Sequence, residues 1–281
     1  MRGESAPSAI LELIDATVVK NGVRVLDGMT LTVRAGEHTA IMGPNGAGKS
    51  ALMQLITFQD RPFPHEDGTP SVRVLGRDLW HVFELRPQLG VVSADLHQRF
   101  VNGNSWGHIR ALEAVLSGFF GMHGLTPSGA VTSGMREQAH EALARMEVTH
   151  LAQRFLDEMS TGEVRRVLVA RALVTTPAAL ILDEPATGLD LVARQRLVVL
   201  MNRVAESGTT LILVTHQVEE IIPAISRVIL LKQGRVLAAG PRDAMLTGER
   251  LSELFGSPVT VSKVGAYLQA AVSPAATLTS G

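Results

Sequence analysis

Apolar and polar positions change rhythm several times along the chain. Leu11-Glu-Leu-Ile14 and Thr30-Leu-Thr-Val33 partly alternate, and Gly22 and Gly28 fall between them as turn signals. That pattern predicts a pair of strands near the start. His38-Thr-Ala-Ile-Met42 is a short, mostly apolar run between two glycines and suits a buried strand. A glycine-rich turn follows, then helical spacing from Lys49 to about Phe58. Residues 60–70 have the Pro/Gly/Asp composition of a loop. Val72-Arg-Val-Leu75 and Leu89-Gly-Val-Val92 read as further strands.

The middle of the chain keeps a different period. From about Trp106 to Arg154 the pattern is helical, with apolar residues at helical spacing over His108–Phe119 and Met135–Met146 and a Gly/Ser/Thr loop at 124–134 between them. Alternation then returns. A helix over 161–175 precedes the strand Ala179–Leu182, and a helix over 191–206 precedes the strand Thr210–Val214. Val228–Leu231 and Val236–Ala239 flank Gly234 as a terminal hairpin. The expected organisation is one α/β domain over residues 1–255, with a helical subdomain inserted at about 100–160. A C-terminal extension, 256–281, would end in a disordered small-residue tail over 272–281.

Composition narrows the function classes. The chain has 281 residues, 46% hydrophobic and 19% charged, which fits a globular protein with a sizeable core. A formal charge of −1 supplies no basic field, so no nucleic-acid partner is expected. The absence of cysteine excludes disulfides and thiolate metal sites, and it is compatible with a cytoplasmic location. Met1–Ile10 lacks the apolar stretch of a signal peptide, and no apolar run approaches the ~18 residues of a membrane span. Any membrane role would run through a partner.

Three short stretches carry candidate chemistry. Gly43-Pro-Asn-Gly-Ala-Gly-Lys-Ser50 fits the spacing of a phosphate-binding loop, G-x-x-x-x-G-K-[ST]. Gly43, Gly46 and Gly48 let the backbone curl into a nest of N–H groups. Pro44, Asn45 and Ala47 complete the loop, and the following helix points its positive end at the same anion. Lys49 can reach terminal phosphates, and the Ser50 hydroxyl can ligate Mg²⁺. Leu180-Ile-Leu-Asp-Glu184 ends an apolar strand in two acids, at the sheet edge where nucleotides bind in open α/β folds. Asp183 suits a Mg²⁺ ligand, and Glu184 suits the group that orients or deprotonates an attacking water. His216 ends the strand Leu211–Thr215 and can meet a γ-phosphate at that edge.

With Ser160-Thr-Gly-Glu163, Arg166, Ala170-Arg171-Ala172, Pro185 and Gly188-Leu-Asp190, these stretches stand in one order over roughly residues 10–255. In that order the chain resembles the ATP-binding cassette ATPases. The resemblance implies a P-loop NTPase core with an N-terminal antiparallel β subdomain and an inserted helical subdomain. It implies ATP and Mg²⁺ as cofactors, with Glu184 and His216 catalytic. It also implies a head-to-tail homodimer, in which Ser160 and Gly162 of one copy meet the γ-phosphate held by the phosphate loop of the other. Asp190 is assigned to signalling across that nucleotide interface. Transmembrane permease subunits are the implied partners, met at the cytoplasmic face of the membrane.

The departures from the family pattern are specific. Thr161 and Glu163 stand where the usual signature has Gly and Gln, and Glu163 is expected to face solvent or an arginine. Lys20 falls where the family has a base-stacking aromatic, and Ser93-Ala94 where it has a glutamine that links Mg²⁺ to the permease. Asp95, His97 or Gln98, on a loop beside the nucleotide, are candidate substitutes. Leu55-Ile-Thr57, Ser117-Gly-Phe-Phe120 and the Ser-Thr-Gly-Glu signature look like a subgroup labelled for molybdenum transport or photorepair. The leading expectation is the ATP-hydrolysing subunit of a transporter. The alternative is a stand-alone ATPase switch acting on a soluble partner. A P-loop kinase would explain the phosphate loop, but not Glu184, Asp190 and His216 in this order.

Overall fold

The computed structural model describes residues 8–102, 108–122, 126–127 and 129–272. The chain folds as two units, residues 1–79 with 211–281, and residues 80–210. The first unit opens with two long strands, β1 (Ala9–Lys20) and β2 (Val23–Arg34), paired antiparallel. Their register slips between Leu13 and Ala16, where Asp15 has φ 46°, and again on to Val19. Each slip is a bulge that resets which side faces the core, so strict alternation survives only in four-residue pieces. β3 (Thr39–Met42) is buried along its whole length, as a strand covered on both faces must be. It leads through Gly43–Gly48 into α1 (Lys49–Ile56), and β4 (Val72–Val74) pairs antiparallel with β1.

The second unit holds α2 (Val82–Leu85), β5 (Leu89–Val92), α3 (Ala94–Asn102), α4 (Ala111–Leu116), α5 (Ser133–Arg145), α6 (Thr161–Leu173), β6 (Ala179–Asp183) and α7 (Leu191–Glu206). β5 and β6 are parallel neighbours. α4, α5 and α6 pack against one another, and α4 continues through a 3₁₀ turn at Ser117–Phe120. The arginines of α6 are the staples. Arg171 donates to Ser117 Oγ (3.2 Å) and to the carbonyl of Met122 (2.6 Å), and burial pulls its pKa down to about 10. Arg166 donates to the carbonyls of Met146 and Glu147. A guanidinium can be buried because its fork of donors finds carbonyls at both ends.

The chain re-enters the first unit along β7 (Thr210–Thr215). β8 (Arg227–Lys232) and β9 (Arg235–Pro241) form the expected hairpin around Gln233-Gly234. β3 lies between β7 and β8, parallel to both. The hairpin is not terminal. α8 (Arg242–Met245), α9 (Gly248–Phe255), β10 (Val259–Val264) and β11 (Tyr267–Val272) follow, the last two as an antiparallel pair turning at Gly265. The tail expected to be disordered lies, beyond Val272, outside the described residues, as does the start of the helical stretch at Trp106.

Residues 94–102 differ from expectation, being a helix rather than a loop. Ser93 Oγ accepts from Leu96 N–H (3.2 Å), so the residue standing in the family's glutamine region caps α3. Asp95 is tied to Arg99 one turn on (2.8 Å). No described helix is long and apolar enough to cross a membrane.

Candidate functional site

The phosphate loop begins where β3 ends. Gly43 N–H donates to the carbonyl of Thr215 on the neighbouring β7, so the loop's first residue is pinned to the strand that carries His216 next (3.3 Å). A Cβ on Gly43 would stand 2.5 Å from the carbonyl oxygen of Leu231, so only glycine fits there. Gly48 has φ 103°, and a Cβ there would stand 2.9 Å from both Leu26 Cδ2 and the carbonyl of Val25. These two positions hold the loop close to its surroundings. α1 starts at Lys49 with no side-chain cap and no acid in its first turn, so no carboxylate of its own competes with an anion at that positive helix end. The Lys49 ammonium is buried, donating to the carbonyls of Gly43 (2.9 Å) and Pro44 (3.2 Å) across the loop. Ser50 is exposed in the first turn of α1, as are Asn45 and Gly46 in the loop. The loop is closed on its own lysine, which holds that charge against the carbonyls of Gly43 and Pro44.

His216 is half-buried at the end of β7, beside the loop in the same unit. The turn after it is tightly bonded. The Thr215 hydroxyl donates to the buried Glu220 carboxylate and accepts from Gln217 N–H (3.0 Å). Sequence reasoning singled out Thr215 beside His216 but missed Glu220, because a glutamate four residues after a histidine carries no pattern of its own.

The second unit places the other candidates at an acid-bearing strand end and two helix starts. Asp183 closes β6, and Glu184 follows with φ 48°, a left-handed conformation uncommon outside glycine and often found at working sites. Ser160 caps α6 and Asp190 caps α7, where Asp190 Oδ1 accepts from Ala193 N–H (2.8 Å). An added Cβ at Gly162 would stand 3.0 Å from Ala193 Cβ, so the first turns of α6 and α7 lie against each other. Ser160, Gly162 and Asp190 are thereby brought together.

Glu163 is partly exposed and lies in the field of Arg154 and Arg166, and it also folds back on the helix start, where Oε2 accepts from both Ser160 N–H and Ser160 Oγ (2.9 Å each). Glu163 N–H completes a capping box with Ser160 Oγ. The backbone bond from Ser160, before any other cause, holds the Glu163 carboxyl below the ordinary carboxylate range, against the opposing effect of burial. The S-x-x-E spacing of Ser160 and Glu163 was the available signal. Lys20, in place of an aromatic, binds Asp60 (3.0 Å) and the Gln54 side chain. On α3, Gln98 is exposed, whereas His97 is half-buried with its Nδ1 lacking a hydrogen-bond partner. Burial, then Arg165, pushes its pKa down.

Among the described residues no three His, Cys, Asp or Glu side chains cluster as a metal cage. Mg²⁺ is usually held by one or two protein oxygens plus phosphates and waters, so it needs no such cage. Within the first unit the exposed Ser50 hydroxyl is an oxygen of the kind that ion takes, and within the second the Asp183 carboxylate is another.

Residues 26–187 match the family model for the ABC transporter domain. The chain is 36% identical over 259 residues to an uncharacterized ABC transporter ATP-binding protein, YlmA, of Bacillus subtilis, covering 90% of this chain and 93% of that one. Its fold matches cbiO1 of Clostridium perfringens, described as part of an ABC transporter complex, with a TM-score of 0.70 at 25% identity over 88% of this chain and 94% of that one. It also matches a bacterial ABC transporter cassette solved as a dimer, with a TM-score of 0.65 at 26% identity over 82% and 98%. With the phosphate loop, the acid-ended strand and the capped signature helix in place, the chain belongs to the ABC transporter family and is one of its ATP-binding, ATP-hydrolysing subunits.

Proposed function

We propose that two copies of this chain close head to tail around ATP and use its hydrolysis to drive a separate membrane permease from the cytoplasmic side. The observation that carries the reading is the loop Gly43–Ser50. It is an uncapped helix start with a buried lysine at its mouth, pinned to the strand that ends in His216. Lys49 and the N–H groups of Gly46, Gly48 and Lys49 receive the phosphates, and Pro44, Asn45 and Ala47 shape their path. Ser50 and Asp183 would hold Mg²⁺, which would neutralise phosphate charge there. Glu184 orients the attacking water, and His216 donates to the γ-phosphate. Ser160 and Gly162 face the partner copy's ATP, and Asp190 carries contact between the copies.

Glu184→Gln tests the dimer. The amide keeps the shape but loses the base, so ATP binds and is not turned over. In ATP and Mg²⁺ the variant should run as a dimer by light scattering at micromolar protein, and as a monomer without nucleotide. A monomer in both conditions would sink the sandwich.

The permease link is supported by the relationship to transporter subunits and by the exposed Gln98 on α3. Gln98→Ala should slow permease-stimulated turnover severalfold, as loss of a positioned polar group does. His97→Ala, half-buried on the same helix, should act through packing instead. Equal stimulation of wild type and Gln98→Ala would remove Gln98 from that role. The subgroup labelled for molybdenum transport or photorepair is the finer reading, supported by Leu55-Ile-Thr57, Ser117-Gly-Phe-Phe120 and the Ser160-Thr-Gly-Glu163 signature.

A further inference from the structure

The C-terminal hairpin is tied down at three places within its unit. At its base, Val259 N–H donates to Ser252 Oγ on α9 (2.8 Å). At its tip, the Arg242 guanidinium donates to the carbonyl of Ala266 (3.4 Å). Along its flank, Ala270 N–H donates to Glu219 Oε1 (3.0 Å), and β11 packs on the 3₁₀ turn Val218–Glu220. That turn is the segment immediately after His216. It is closed from within by Thr215, whose hydroxyl reaches Glu220 and whose Oγ1 accepts from Gln217 N–H. It is held from outside by Glu219 alone among these bonds, through a residue 51 positions away.

The bond to Glu219 leaves the hairpin's own ladder intact. Ala270 is paired with Val261 across the two strands, and in an antiparallel ladder a residue whose N–H points outward is in a non-hydrogen-bonded pair. The outward N–H of an edge strand is normally left to water. Here it meets a carboxylate, a charge-assisted bond of the stronger kind.

We propose that Glu219 is a positioning residue for His216, and that the C-terminal hairpin acts through it as a latch on the turn that aims the histidine. The proposal rests on the reading of His216 as the γ-phosphate contact. With the latch made, the 217–220 turn has one arrangement, and the imidazole at its start is pre-aimed. With the latch broken, the buried Thr215–Glu220 bond keeps the turn folded, but its outer side is free to shift. A misplaced contact that matters only at the transition state lowers kcat and leaves ATP binding to the phosphate loop unchanged.

The test uses the full chain and four substitutions, with steady-state ATP turnover and thermal melting measured on each. Glu219→Ala should lower kcat about fivefold with KM for ATP unchanged within about twofold. Ala270→Pro removes the same bond from the other side, since proline has no N–H and edge strands accept it. It should reproduce the loss, and the double variant should lose no more than either single one. Glu219→Gln retains an acceptor oxygen and should recover most of the rate. His216→Ala is the reference, with a larger loss of kcat than any of these. If His216→Ala leaves kcat unchanged, the reading of His216 fails and the proposal with it. If His216→Ala is slow while Glu219→Ala and Ala270→Pro turn over at the wild-type rate, the latch alone is overturned. A loss of melting temperature with kcat intact, or losses that add in the double variant, also overturns it.

Discussion

Two helix starts in this chain face the same physical problem and solve it in opposite ways. α1 and α6 each leave their first N–H groups without helical partners. α1 has no side-chain cap and no first-turn acid, and its approach loop is fixed by Gly43 and Gly48. α6 is filled by its own sequence, with Ser160 and Glu163 in a reciprocal capping box. One end is held open by backbone constraint, and the other is already occupied by a carboxylate. The difference teaches which end can bind an anion alone. The α1 site is ready for phosphate in a single copy. An anion reaching α6 has to share or displace Glu163, which accords with the proposed reading that a second copy delivers the phosphate to that end.

If the open end does the binding, damage there should be the most severe. Lys49→Ala removes the ammonium that now spans the carbonyls of Gly43 and Pro44. ATP affinity should fall by roughly 100-fold, the equivalent of about 3 kcal/mol for lost charge-assisted hydrogen bonds. Titration calorimetry on the monomer measures it, and unchanged affinity would break the comparison at its stronger half. Gly48→Ala forces a side chain into φ 103° and into contact with Leu26 and Val25. Strain of about 1–3 kcal/mol should appear as a ~10-fold weaker ATP site, a lower melting temperature, or both. Neither substitution touches α6, so the capping box should survive both, as amide exchange at the α6 start can check.

Much of this contrast was legible beforehand and part was not, for identifiable reasons. The phosphate loop announces itself because each of its glycines is required by geometry, and α7 was read at its true bounds because Asp190 caps it and its apolar period is regular. β5 likewise runs over the four residues expected. β1 and β2 were read as short pieces because the bulges near Asp15 and Val18 reset the alternation. α3 was read as a loop, although Leu96 and Phe100 sit one turn apart and both are buried. The polar residues between them hid a two-residue apolar face. β10 and β11 were passed over as part of a small-residue extension, yet Val259-Thr-Val alternates and Gly265 marks the turn. For Glu163 the expectation of solvent or an arginine leaves out the nearest unfilled donors, which belong to Ser160, while Arg154 and Arg166 act on the carboxylate as well.

The smallest expected effect is the sharpest test of the occupied end. Glu163→Gln keeps a side chain that can complete a capping box but removes the negative charge. Two results should follow at neutral pH. ATP binding to the monomer should be unchanged, because α1 is untouched. ATP-dependent dimerisation should tighten severalfold, because the γ-phosphate brought by the partner copy no longer meets a fixed carboxylate at the α6 start. The pH dependence separates charge from shape. The native Glu163 pKa lies below its ordinary value, chiefly through the Ser160 N–H bond, so its ionised form favours the fold. That contribution is present above the ordinary carboxylate pKa of about 4.3 and is lost as pH falls through the lower native value. Wild type should therefore lose its margin over Glu163→Gln on acidification, and melting curves at pH 7 and pH 3 measure the change. A dimer no tighter in Glu163→Gln than in wild type would mean the carboxylate swings clear before the phosphate arrives. The two helix starts would then differ in how they rest and not in how they bind.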